Sequence, residues 1–195
     1  MKLFALVIVL LLVFAFSGCL QPQTPEEKAK AIAGKLPEIQ VISGLVNSMA
    51  NMDKCTMGKL LAGYKQVMDS QGLPMPEITA EQRTQMEQMI EKARQFSTTC
   101  KPSMTSRVEK QSENSYMVFY KIEAATHTEC QMFATSSELK VSVDLSKETA
   151  SLDGTTAGSF NSESFEQAKT ALDALGDCAG LMFYSTSMAT SITTA

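Results

Sequence analysis

Residues 138–145 read ELKVSVDL, and this stretch has the clearest alternation of apolar and polar residues in the chain. Its polar residues fall on one side of a strand, and the other side carries Leu139, Val141, Val143 and Leu145. A strand of this kind belongs to a sheet with one buried and one solvated face, which is typical of antiparallel sheets. The stretch therefore predicts an antiparallel sheet in the second half of the chain.

Before and after this stretch, apolar and polar residues alternate in other segments, which predict further strands of the same sheet. The strands that they predict, besides 138–145, cover residues 106–110, 115–124, 130–135 and 149–153. The turns between them are short and polar, so we expect an antiparallel meander. The strand at 115–124 is apolar on both faces, which predicts a central position. An alternative for its aromatic residues, Tyr116, Phe119 and Tyr120, is a binding cleft.

Helical spacing dominates the chain before the sheet and returns after it. Capping boxes are predicted at Thr24 with Glu27 and at Thr79 with Gln82, and Asp53 is predicted to cap a third helix. Gly176 is expected to end the last helix. The predicted helices cover residues 25–35, 38–51, 54–70, 80–97 and 162–175.

The order of these elements predicts an α+β fold with N-terminal helices, a four- or five-stranded antiparallel meander and a C-terminal helix. We expect one domain over residues 25–184, with a helical part at 25–100, a sheet plus helix at 104–184, and a flexible tail at 185–195. Helices should cover the apolar face of the sheet. The order of elements resembles cystatin-like and NTF2-like folds, a resemblance that implies no function.

The N-terminus carries a different signal. Lys2 is followed by the apolar run 3–16, and Phe16-Ser17-Gly18-Cys19 comes next. This pattern resembles the lipobox of prokaryotic lipoproteins, although Phe16 stands where that family prefers Leu. The resemblance implies a signal peptide at 1–18, a diacylglyceryl group on Cys19, a tether at 19–24 and an extracytoplasmic domain held at a membrane. The alternatives are an uncleaved signal anchor and a plain secreted protein.

Of the five cysteines, four remain once Cys19 is assigned to lipid, and an oxidising compartment favours two disulfides. If the third and fourth helices form an antiparallel hairpin, the start of one lies beside the end of the other. We therefore predict the disulfides Cys55–Cys100 and Cys130–Cys178. The competing pairings would tie the helical part to the sheet part.

The chain has 13 methionines, and pairs such as Met49 with Met52 and Met86 with Met89 are spaced as soft copper(I) ligands could be. The simpler interpretation is that they fill an irregular core or line an adaptable apolar groove. We expect no metal site and no cofactor.

Composition also limits the function. The net charge is −4, with no basic run, which disfavours nucleic acid and anionic lipid head groups as partners. The single histidine, His127, falls in a predicted turn, and the common catalytic motifs are absent, so we expect no enzyme. The sequence favours a membrane-anchored binding or interaction module. Its partner would be an apolar ligand or a peptide held between helices and sheet, or an envelope protein. The alternatives are a structural or assembly lipoprotein without a ligand and, less favoured, a methionine-based copper carrier.

Overall fold

The computed structural model describes residues 23–126, 130, 138–153 and 162–181. These residues form an antiparallel sheet and five α-helices, which confirms the predicted α+β class. The helices are α1 (Pro25–Ala33), α2 (Pro37–Ala50), α3 (Met57–Ser70), α4 (Ala80–Cys100) and α5 (Ser162–Leu175). The strands are β1 (Ser103–Lys110), β2 (Ser115–Glu123), β3 (Leu139–Asp144) and β4 (Thr149–Leu152). Short 3-10 turns, Met52–Lys54 and Gly176–Cys178, come after α2 and α5.

Helices α1 and α4 begin at the predicted capping boxes. At α1, the Glu27 N–H donates to Thr24 Oγ1 at 3.2 Å, and the Thr24 N–H donates to Glu27 Oε2 at 2.8 Å. Thr79 and Gln82 exchange the same two bonds at α4, at 3.2 and 2.9 Å. Each box satisfies two N–H groups at the helix start, where intrahelical partners are missing. Gly176, with a φ of +52°, follows the last residue of α5 as predicted.

Several predicted boundaries differ from the structure; α1 ends at Ala33 instead of 35, and β1 begins at Ser103 instead of 106. Asp53 does not cap α3, because it lies inside the turn Met52–Lys54, and Thr56 caps the helix instead by accepting from the Lys59 N–H at 3.3 Å. Helix α4 runs past residue 97 to Cys100 and ends where Lys101 takes a left-handed φ of 42°. The strand predicted at 130–135 is not found at Cys130, and its other residues lie outside the described ranges.

The sheet is a meander of strand order β1-β2-β3-β4, with β2 in the predicted central region between β1 and β3. Val141 and Val143 of β3 are 0% and 2% exposed, which confirms the alternation predicted from ELKVSVDL. Helix α1 lies over this apolar face, where Ala29 and Ile32 contact the cluster around Val118. Lys28 of α1 also forms an exposed ion pair at 2.8 Å with Glu148, which lies in the turn between β3 and β4.

The C-terminal helix α5 packs in the helical part of the molecule, not on the sheet. Val41 and Leu45 of α2 contact Ala168 of α5 in one apolar cluster. At the next turn of α2, the buried Ser48 hydroxyl donates to the Gly176 carbonyl at 2.9 Å and accepts from the Gly180 N–H at 2.7 Å. Helix α2 therefore joins two cores, one against the sheet and one among α3, α4 and α5.

Two disulfides form as predicted, but the predicted pairing is wrong. The bonded pairs are Cys55–Cys178 and Cys100–Cys130, with Cα separations of 4.9 and 5.3 Å. The Cys55 carbonyl lies 3.5 Å from the Arg94 guanidinium, so the start of α3 does lie near α4. The Cys55 sulfur nevertheless bonds Cys178, which follows α5.

Both observed pairs follow from neighbouring backbone contacts. The Ala125 N–H donates to the Cys100 carbonyl at 2.8 Å, because β2 returns antiparallel to β1 and brings the chain back beside the end of α4. Cys130 follows shortly after Ala125 and bonds Cys100. The start of α3 lies beside the end of α5, where Lys59 pairs with Asp177 at 3.2 Å. That antiparallel contact brings Cys55 to Cys178.

Candidate functional site

A groove opens between helices α3, α4 and α5. Its volume is about 640 Å³, which is within the usual range for small-molecule sites. Most of its exposed lining is apolar. The lining residues are Leu60, Tyr64, Val67, Gln71, Met86, Met89, Glu166, Gln167, Thr170, Ala171, Leu175 and Leu181.

A second cavity of about 510 Å³ lies next to the first, along α4 and the segment before it. The two cavities share three lining side chains, Tyr64, Met86 and Met89. The second cavity adds the residues Pro76, Glu77, Ile78, Gln82 and Gln85. We treat the two cavities as one surface and call it the three-helix groove.

The three-helix groove is shaped by a close approach of α3 and α5 at Gly63. A Cβ on Gly63 would lie 2.5 Å from the Ala174 carbonyl oxygen and 2.7 Å from Leu175 Cδ2. Only glycine allows the two backbones this contact. From this point toward the end of α3 the lining becomes more exposed, and Tyr64 is 46% exposed. The contact at Gly63 therefore closes one end of the groove and leaves the other open.

The two methionine pairs that were weighed as copper ligands lie in different environments. Met49 and Met52 are buried in the helical core, and the Met49 backbone and Met52 side chain contact Gly180 closely. Met86 and Met89 are half-buried and line the three-helix groove. The first pair fills the core, whereas the second presents flexible, polarizable side chains to a cavity.

A shallower opening of about 590 Å³ lies between α2 and the sheet, where the sequence predicted a cavity between helices and sheet. Met104 and Tyr120 form its sheet side, and Gln40, Ser43 and Asn47 form much of its helix side. Burial raises the pKa of Tyr120. This opening has a more polar lining than the three-helix groove.

The aromatic residues of β2 pack against neighbours. Tyr116 and Tyr120 are 2% and 6% exposed and belong to the core under α1. On the other face of the sheet, Phe119 is covered by the Arg107 guanidinium, whose carbon lies 3.7 Å from the ring centroid. Glu138 accepts two hydrogen bonds from Arg107, at 2.7 and 3.1 Å, which lowers the pKa of Glu138 and raises that of Arg107. The binding cleft considered for this strand is therefore largely filled by packing.

Asp144 has a structural role at the turn between β3 and β4. It accepts hydrogen bonds from the Ser146 hydroxyl at 2.6 Å and from the N–H groups of Ser146 and Lys147 at 2.9 and 3.2 Å. These donors, the Ser146 hydroxyl first, lower the pKa of Asp144 to about 2. The carboxylate is therefore held by the turn and is not available as a general base.

Other predicted sites lie partly outside the described residues. No cluster of three or more histidine, cysteine, aspartate or glutamate residues suited to a metal occurs within the described ranges. No helix from residue 23 onward in those ranges is long and apolar enough to cross a membrane. His127 and Cys19 lie outside the described residues, so their predicted roles stay predictions.

The sequence did not identify most of the groove. The predicted hairpin gave α3 the neighbour α4 and did not include α5. No local pattern around Gly63 or Glu166 indicates that α3 and α5 approach closely.

No family model, curated protein or solved structure matches the chain. The resemblance of its element order to cystatin-like and NTF2-like folds stays a prediction.

Proposed function

We propose that the chain is a lipid-anchored extracytoplasmic binding protein that holds an apolar ligand in the three-helix groove. The observation that carries this proposal is the groove itself, an apolar cavity of about 640 Å³ between three helices. Its lining combines fixed aliphatic side chains with two methionines, and such surfaces adapt to apolar ligands of different shape. The glutamine, glutamate and threonine side chains at its edge supply the few polar groups that orient a ligand.

The location rests on two supports of different kinds. The FSGC stretch resembles a lipobox, and both disulfides are typical of an oxidising compartment. A diacylglyceryl group carries two chains, which is enough for stable anchoring. Mass spectrometry of the membrane fraction tests this part: we expect a mature chain that begins at a diacylglyceryl-modified Cys19. An intact, unmodified segment from Met1 through Cys19 would rule the lipid anchor out.

Ligand binding is tested with the full chain in phosphatidylcholine vesicles and a photoreactive dodecyl glucoside, an uncharged probe. After illumination, peptide mapping should find the label on α3, α4 and α5. The variant Met86→Gln/Met89→Gln should reduce this labelling about tenfold, because a transfer cost of about 1.4 kcal/mol changes affinity by that factor.

The matched control is Met117→Gln, the same chemical change at a half-buried methionine on the opposite side of the sheet. It should leave the labelling of the groove helices unchanged. If the label is spread over the surface and does not respond to the Met86 and Met89 changes, the groove is not a ligand site. Cross-linking to one envelope protein together with that result would favour the assembly alternative.

A further inference from the structure

The three-helix groove has an apolar end and a polar end. Near the Cys55–Cys178 disulfide its floor consists of Leu60, Leu175 and Leu181, which are 8%, 7% and 3% exposed. At the other end α3 and α5 contribute exposed polar side chains, Gln71 and Glu166 among them. A ligand that matches this gradient has an apolar chain directed to the floor and a polar group at the mouth.

The charged side chains that line the described groove are both acidic. Glu166 lines the first cavity, and Glu77 lines the second. Neither carboxylate forms an ion pair with another described residue, and Lys169, which follows Glu166 by three residues on α5, does not pair with it. Each of the two cavities is therefore lined by one unpaired carboxylate.

The undescribed segments of the domain contain no lysine or arginine. After residue 22, these segments are 127–129, 131–137, 154–161 and 182–195. Every lysine and arginine of the domain is described, and none of them lines the groove. The charged side chains that line the groove are therefore acidic only.

We infer that the ligand of the three-helix groove is a single-chain amphiphile with a positively charged head group. Its chain lies on Leu60, Leu175 and Leu181, and its head lies beside Glu166 or Glu77. An anionic amphiphile such as a fatty acid would place its carboxylate beside these two carboxylates, where like charges repel. This inference rests on the proposed function, since it names the ligand class of the same groove.

The test uses the full chain in phosphatidylcholine vesicles and three photoreactive dodecyl probes that differ only in the head group. The heads are trimethylammonium, glucoside and sulfate. We expect labelling of α3, α4 and α5 to be about tenfold higher for the cationic than for the anionic probe at low salt, with the neutral probe between them. In 1 M salt, where the Debye length is about 3 Å, the difference should shrink to about twofold.

The variant Glu77→Gln/Glu166→Gln should lower labelling by the cationic probe about fivefold and change labelling by the glucoside less than twofold. Because the wild type and the variant are compared with the same probe, the partition of that probe into the vesicle cancels from the ratio of labelling. The matched control is Glu113→Gln in the turn between β1 and β2, which changes the same charge far from the groove and should have no effect.

The outcomes separate the two proposals. If all three probes label the groove equally, or if the glutamine variant has no effect, the inference is wrong and the apolar binding function stands. If none of the probes labels the groove helices, both are wrong. Loss of labelling by all probes in the glutamine variant would indicate that the carboxylates act on the structure of the groove, which also overturns the inference.

Discussion

Alanine substitutions at two glycines of α3 should have opposite effects on stability. At Gly58 an added Cβ would meet no atom within 4 Å, so Gly58→Ala only raises helix propensity. Because the residue lies in the first turn, we expect a gain of about 0.5 kcal/mol. At Gly63 the same Cβ would lie 2.5 Å from the carbonyl oxygen of Ala174.

The contact at Gly63 cannot be relieved by a side-chain rotation, because the nearest atom belongs to the backbone of α5. The two helices must separate, and overpacking of this kind costs about 1–3 kcal/mol. Subtracting the gain in helix propensity, of about 1 kcal/mol, we expect Gly63→Ala to be destabilising by up to about 2 kcal/mol. The substitution should also widen the groove at its closed end.

The measurement is equilibrium urea unfolding of the oxidised protein, followed by far-ultraviolet circular dichroism. The midpoint should rise for Gly58→Ala and fall for Gly63→Ala, with the slope unchanged in both. Since both changes add one methyl group to the same helix, the difference between them isolates the contact with α5. Equal stabilisation by the two substitutions would show that α3 and α5 do not approach as described.

Three further predictions concern the disulfides, a buried hydroxyl and the response to acid. Non-reducing peptide mapping should recover Cys55–Cys178 and Cys100–Cys130, and a Cys55–Cys100 peptide would contradict the pairing. In the chain-entropy model, these bonds stabilise the fold by about 5 and 4 kcal/mol, for separations of 123 and 30 residues. Ser48→Ala should cost about 2 kcal/mol in urea unfolding, since it leaves a buried N–H without its acceptor, whereas Ser43→Ala on the exposed side of α2 should be nearly neutral. Asp144→Asn should reduce thermal stability at pH 5 but much less at pH 2. The lowered pKa of Asp144 stabilises the fold above about pH 4, and this contribution is lost as pH falls through about 2. A difference in melting temperature between variant and wild type that is the same at both pH values would refute the role of the turn.

Features that depend on neighbouring residues were predictable from the sequence. The capping boxes at Thr24 and Thr79 and the stop at Gly176 need only three or four consecutive positions, and the structure has all of them. The alternation in ELKVSVDL is equally local, because it records one buried and one solvated face of a single strand. The α+β class followed from the order of such segments.

The packing of the amphipathic helices was not predictable in the same way. An apolar stripe says that α3 buries one side, but it does not say whether the partner is the next helix or one that lies about 90 residues further along the chain. The hairpin of α3 with α4 was the simplest choice, and it led directly to the wrong disulfides. The three-helix groove was missed for the same reason, since it exists only where α3 and α5 cross.

One correct pairing could nevertheless have been reached from the sequence. The predicted turn at 111–114 places residue 110 opposite residue 115, one residue away from the observed pair of Lys110 with Tyr116. Extending the predicted register past the start of β1 places Cys100 opposite Ala125, close to Cys130. Cys55 and Cys178 would then have remained as the second pair. A strand register specifies distances between residues far apart in sequence, whereas a helix stripe specifies only a direction.

The corrected pairing also explains why the groove opens where it does. Cys55–Cys178 fastens the start of α3 to the chain just after α5, and the contact at Gly63 holds the two helices together for about two turns beyond it. Past that contact α3 exposes Tyr64 and continues to Gln71 at the mouth. The closed end is apolar because it is a continuation of the helical core, and the open end is polar because its side chains face water. A disulfide from Cys55 to Cys100 would have fastened α3 to α4 and removed the covalent closure at the floor, so the pairing and the polarity of the groove are parts of one arrangement.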